Sequence, residues 1–136
     1  MAAVNAYAKY QENQVITASP GQLLVMTYDG ALRFLRQARE AAKEGRETDR
    51  TYNVLKTTNL LLDLCGALNH EASQELAASL MGLYRYMLDR LVDVEQNGNV
   101  GAIDEVERLL MSLRDAWAEA DRSLRCADAE AVAVGV

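Results

Sequence analysis

The stretch "IDEVERLLMSLRDAWAEADRSL", Ile103 to Leu124, carries apolar residues at Ile103, Val106, Leu110, Leu113, Trp117, Ala120 and Leu124. The spacing alternates three and four throughout, which predicts an α-helix with one continuous apolar seam and therefore partner helices to cover it. Working backwards, "NGN" at 97–99 places Gly98 as the residue that stops the preceding helix. That helix is expected to start at the cap Ser73 and to bury Leu76, Leu80, Leu83, Met87, Leu91 and Val94. Upstream of the polar break "NHEAS" at 69–73, Thr48 can cap a helix with the stripe Val54, Thr58, Leu61, Cys65 and Leu68. Leu60, Leu62 and Leu64 widen that stripe, and the helix is expected to end near Asn69. Ser19, Pro20 and Gln22 form a capping-box start for the first long helix. Its seam is Leu24, Tyr28, Ala31, Leu35, Ala38 and Ala42, and Gly45 is its stop. Short connections force neighbouring helices to run antiparallel. The reading is all-α: an antiparallel up-down-up-down four-helix bundle with a short N-terminal helical segment. The bundle is placed at 1–126 as one domain, residues 1–18 forming an N-terminal cap segment, and 127–136 are expected to be a flexible tail.

Composition agrees. Half of the 136 residues are apolar, a quarter are charged, and there is one proline against eight glycines, a balance suited to long helices. The net charge of −6 works against nucleic-acid and anionic-membrane surfaces, where Lys and Arg supply the affinity. No apolar run is long enough to span a bilayer, and "MAAVNAYAKYQENQ" at 1–14 has no basic start followed by an apolar core, so a cytoplasmic protein is expected. Cys65 and Cys126 are read as reduced thiols.

Catalytic motifs are missing from the sequence. His70 is the single histidine, which removes the two Glu-x-x-His pairs of a di-iron bundle and the H-E-x-x-H of a zinc protease. As a phosphoacceptor it would sit mid-helix, but it falls in a polar break. Asp104, Glu105 and Glu107 fit the first turn of a helix, where negative charge complements the dipole. There is no nucleophile elbow, phosphate loop or dinucleotide fingerprint. The expectation is a protein that is not an enzyme and uses no metal or cofactor. Arg33, Arg36, Arg39, Lys43, Arg46 and Arg50 alternate with Glu40, Glu44, Glu47 and Asp49, as on a solvated face held by local ion pairs.

What remains is surplus apolar surface. Leu23, Leu24, Val25 and Met26 are consecutive, and at 3.6 residues per turn they span roughly 300° of the helix circumference. Tyr7 and Tyr10 lie three apart on a segment with no seam of its own. Gly30 sits inside a helix at a cost of about 1 kcal/mol, which calls for something packed close to the backbone, either a neighbouring helix or a partner. Trp117 is assigned to the core, and one of Tyr84 and Tyr86 must face solvent or a partner.

The stretch "NAYAKYQENQVITASPGQLLVMTYDGALRFLRQA", residues 5–38, resembles the opening of the flagellar secretion chaperones of the FliS family. These show an A-Y near the start, T/S-A-S-P-x-Q/E-L before a helix and L-Y/F-D/N-G-A/C within it. "LYRYMLDRLVDVEQNGNVGAIDEVERLL" at 83–110 and "LRDAWAEA" at 113–120 are similar to later segments of that family; Thr27 and Asp89 depart from its pattern. The resemblance implies a cytosolic bundle that binds the disordered C-terminal region of flagellin, prevents premature polymerisation and delivers it to the flagellar export apparatus, leaving open other flagellar partners and a monomeric or homodimeric state. It also implies an N-terminal segment, here Tyr7, Tyr10 and Val15, lying over an apolar groove. The expected partner surface is Tyr7, Tyr10, Val15, Leu23, Leu24, Met26, Tyr28 and Gly30.

Overall fold

The structure, a computed structural model, describes residues 20–68 and 73–134. Every regular element among them is helical: α1 Pro20–Lys43, α2 Glu47–Gly66, α3 Gln74–Asn97 and α4 Gly101–Val134. Each helix packs on its neighbours in the chain, and α1 also packs on α4, closing the ring of an up-down-up-down bundle. The core holds Tyr28, Leu32 and Leu35 of α1, Val54 and Leu61 of α2, Tyr84, Met87 and Leu91 of α3, and Ile103, Val106 and Leu110 of α4.

Three of the expected punctuation marks act as the sequence demands. Gly45 adopts φ +71°, the left-handed conformation open to a residue without Cβ. Around it Arg46 N donates to Ala41 O and Gly45 N to Ala42 O, the paired bonds of a Schellman stop. Gly98 stops α3 with φ +69°, Gly98 N donating to Val94 O and Asn99 N to Asp93 O. Ser73 Oγ accepts the Leu76 N–H at 3.2 Å and caps α3. The expected cap at Ser19 lies outside the described residues.

Other expectations shift. α2 begins at Glu47 rather than after Thr48, because Arg46 is already committed to the Schellman turn and makes no side-chain cap; Glu47 and Asp49 complement the helix dipole instead. α2 ends at Gly66, short of Asn69, and buries Asn53, Val54, Thr57, Leu61 and Leu64. In α3 the buried stripe is Ala77, Leu80, Tyr84, Met87, Leu91 and Val94, so Leu76 and Leu83 face outward. α4 is helical to Val134, past the end expected near Ala127. Its seam is fully buried only through Leu110; Leu113 and Trp117 are partly covered, and Leu124 is 66% exposed. The exposure of Leu124 follows from length: Asp121 lies against Gly21 near the start of α1, and the remaining turns of the 34-residue α4 run past that point.

Candidate functional site

The site begins in the core. Tyr28 of α1 and Tyr84 of α3 are both buried, with hydroxyl oxygens 2.6 Å apart, and Trp117 Nε1 of α4 donates to Tyr28 Oη at 3.2 Å. Three helices thus meet at one hydrogen-bonded cluster. Burial raises the Tyr28 phenol above its ordinary range against the lowering effect of its bonds to Tyr84 and Trp117, and burial raises Tyr84 further, so both stay protonated. Above this cluster, where α1 and α3 begin and α2 ends, lies a pocket of about 220 Å³ lined chiefly by Leu24, Leu68, Leu76, Leu80, Tyr84 and Trp117.

The flanks of α1 close differently from those of α3. On the α4 side of α1, Arg36 Nε donates to Glu107 at 3.0 Å, Arg39 bonds both Asp104 (2.9 Å) and Glu107 (2.8 Å), and Arg114 Nε reaches Asp29 at 2.9 Å. Of the basic residues expected to make local pairs, Lys43 and Arg46 do so, with Glu40 and with Glu44 and Asp49, whereas Arg36 and Arg39 bind across helices, because the antiparallel register brings the acidic first turns of α4 beside the last turns of α1. The hydrogen bond from Arg39 is the main reason Glu107 lies below the usual carboxylate range. On the α2 side, a Cβ at Gly30 would stand 3.3 Å from Leu60 Cδ1, so the glycine admits α2 closely.

Apart from the Tyr84–Tyr28 bond across the core, polar bonds from α3 to α2 and α4 are confined to its C-terminal half among the described residues. Thr51 Oγ1 and Arg50 Nε bind Glu95, at 2.7 and 3.3 Å, and pin α3 to α2. Tyr86 donates to Glu105 and Arg90 pairs with the same carboxylate, pinning α3 to α4. From these anchors helical periodicity carries two seams toward the other end. On α2 the positions sharing the Thr51 face are Leu55, Thr58 and Leu62; Leu55, Leu62 and, on α3, Val92 are about half exposed. On the other flank Leu83 and Leu76 continue from Tyr86 at helical spacing, with Leu83 36% and Leu76 52% exposed. Exposed apolar residues thus stand on both flanks of α3, with Arg85 near Cys65 on the α2 side, a pattern suited to an amphipathic helix.

The expected site residues divide three ways. Tyr7, Tyr10 and Val15 lie outside the described residues, as does His70. Leu23, Leu24, Val25 and Met26 are all half-buried, and only Leu24 of these lines the pocket. Tyr28 is fully buried beneath the surface, and Gly30 is occupied by Leu60. Leu55, Leu62, Leu76, Leu83 and Val92 are exposed in the structure and were not among the residues expected on the partner surface. The signal for them was the surplus of leucines on α2 and α3 beyond what one stripe can bury. Cys65 packs against the core with its thiol raised by burial, and Cys126 is exposed; neither forms a disulfide. No group of three or more metal-ligating side chains exists among the described residues, and none of their helices is long and apolar enough to cross a membrane.

Comparison with known proteins gives a consistent result. The family described as "Flagellar protein FliS" matches residues 3–124. The flagellar secretion chaperone FliS of Bacillus subtilis is 38% identical over 125 residues, 92% of each chain. That of Salmonella typhimurium is 35% identical over 116 residues, covering 84% of this chain and 86% of the relative. A solved structure described as a flagellar chaperone from bacteria superposes with a TM-score of 0.73 at 21% identity, covering 89% of this chain and 98% of its own, and shares the fold.

Proposed function

The chain belongs to the FliS family of flagellar secretion chaperones, and from that premise we propose that it works in the cytosol by binding the C-terminal region of flagellin, keeping it from polymerising early and delivering it to the export apparatus. The observation that carries this reading is the pair of open apolar seams beside α3, with Leu55, Leu62 and Val92 on one flank and Leu76 and Leu83 on the other. A subunit whose terminal region becomes helical only in its filament carries an apolar stripe with nothing to bury it beforehand. Seams that present leucines to solvent on a bundle otherwise edged by ion pairs offer such a stripe a temporary partner, with folding of the client coupled to docking.

The mechanism needs no chemical step. Release follows when a competing surface takes the client, and masking lasts as long as the seams are filled. Tyr7, Tyr10 and Val15, which lie outside the described residues, contribute apolar contacts to the client in this reading. Co-purification tests it: this chain should retain intact flagellin and should lose flagellin cut short of its C-terminal region. Equal retention of both would remove the assignment.

A further inference from the structure

We infer that the cleft between the second half of α1 and the start of α2 is a separate binding site, built for an acidic peptide segment. It shares no residue with the pocket at the start of α3. The cleft holds about 600 Å³, and Arg33, Arg36, Arg46, Tyr52 and Asn53 are among its lining residues. Most charges there are already matched inside the protein. Arg36 binds Glu107, Arg46 binds Glu44 and Asp49, and Glu40 pairs with Lys43. Two groups are not matched. Arg33 is exposed and meets no carboxylate among the described residues; its guanidinium lies over the Phe34 ring, 5.2 Å from the centre. Asn53 is only 8% exposed, its Nδ2 donates to Asp49 O, and its Oδ1 is buried with no donor. Native folds leave few buried polar atoms without a partner, and each one calls for a cause.

The two unmatched groups ask for opposite partners, and that pair of demands names the ligand class. Arg33 requires a negatively charged acceptor, best a carboxylate in the plane of its fork. Asn53 Oδ1 requires a donor. A bare anion such as sulfate answers the arginine but is repelled by the amide oxygen. A glutamate or aspartate residue answers both, with its side-chain carboxylate and a backbone N–H on the same peptide. Oδ1 is closed to bulk water, so the segment reaches it by displacing the long exposed side chains that wall the cleft. Lys56, whose Nζ rests 5.3 Å from the centre of the Tyr52 ring, places one more cation without a carboxylate at the border. On a chain of net charge −6 an acidic segment is disfavoured elsewhere, so the local charge selects position as well as sign.

The test uses the full chain and a dye-labelled hexaglutamate peptide, followed by fluorescence anisotropy. Hexaglutamate should bind saturably and more weakly as salt rises, and labelled hexaglutamine should not bind. At matched ionic strength, sodium sulfate should displace no more peptide than sodium chloride does. Arg33→Gln, at an exposed position, should weaken the peptide about tenfold. Asn53→Leu should weaken it to a similar degree without lowering the melting temperature, because leucine removes the orphaned oxygen; an asparagine with a structural role alone would do the reverse. If Asn53→Leu does not fold, Arg33→Gln decides. Absence of saturable hexaglutamate binding overturns the site, as does equal binding of hexaglutamine, extra displacement by sulfate, or unchanged affinity in Arg33→Gln or in folded Asn53→Leu.

Discussion

The hydroxyl oxygens of Tyr28 and Tyr84 meet 2.6 Å apart in the core, and Tyr28 also accepts the indole N–H of Trp117. Tyr28 is therefore the hub. Tyr28→Phe leaves two buried polar groups unpaired, whereas Tyr84→Phe leaves the Tyr28–Trp117 bond in place. Each stranded group costs about 1–3 kcal/mol. Urea denaturation should rank Tyr28→Phe as clearly more destabilised than Tyr84→Phe, and equal losses would remove the hub role.

Glu107 receives hydrogen bonds from Arg36 and Arg39, and its carboxyl is held below the ordinary range, first by the bond from Arg39. A depressed carboxylate contributes stability that is present above the unfolded value, about pH 4.3, and is lost as pH falls through the folded value. The wild type should therefore lose stability below about pH 4.3 more steeply than Glu107→Gln. At pH 7 the substitution should cost about 1 kcal/mol or less, as for partly exposed ion pairs. Parallel melting curves across pH check both statements.

Three glycines separate backbone need from packing need. Gly45 has φ +71°, so Gly45→Ala should destabilise by about 1–2 kcal/mol. Gly82 is mid-helix in α3 with open space where a Cβ would go, so Gly82→Ala should stabilise by up to about 1 kcal/mol. Gly30→Ala falls between them: its Cβ meets the flexible end of Leu60 at 3.3 Å, and the half-exposed leucine gives way. Thermal melts should place the three in that order.

The seams predict a separation of binding from folding. Leu62→Glu and Leu83→Glu change side chains already facing water and should leave the bundle's melting temperature within a few degrees. Each should lower flagellin affinity by about tenfold, as for truncated anchors. Gln37→Glu, on the exposed charged face of α1, should lower neither.

Tyr7→Ala combined with Tyr10→Ala should weaken flagellin binding by at least about 1 kcal/mol while helicity is retained. Unchanged affinity by calorimetry would take the tyrosines out of the interface.

The fold was legible where single residues dictate backbone geometry. Pro20, Gly45, Ser73 and Gly98 start or stop helices by their own stereochemistry, and no distant part of the chain is needed to read them. The faces of α2 and α3 were harder. Asn53 and Thr57 occupy the buried side of α2 where an apolar count expects no polar group: Thr57 Oγ1 donates to Asn53 O and Asn53 Nδ2 to Asp49 O in the preceding turn, while Asn53 Oδ1 is left without a partner. In α3, Leu76 and Leu83 offer as good a stripe as Ala77 and Tyr84. The choice falls to the bond between Tyr84 and Tyr28, a contact 56 residues apart in sequence. The open seams follow from that choice, which is why the apolar surplus was visible in the sequence and its location was not. The heptad of α4 likewise foretells a seam through Leu124, but how much of it is covered depends on where α1 and α3 begin.

The central claim is that this bundle holds the C-terminal region of flagellin on the seams of α3. Isothermal titration calorimetry of the full chain against intact flagellin and against flagellin lacking that region tests it most directly. Binding of the intact form alone, with a negative heat-capacity change from buried apolar surface that shrinks in Leu62→Glu and Leu83→Glu, is the result expected. Equal binding of both forms, or affinity indifferent to the two leucines, would contradict it.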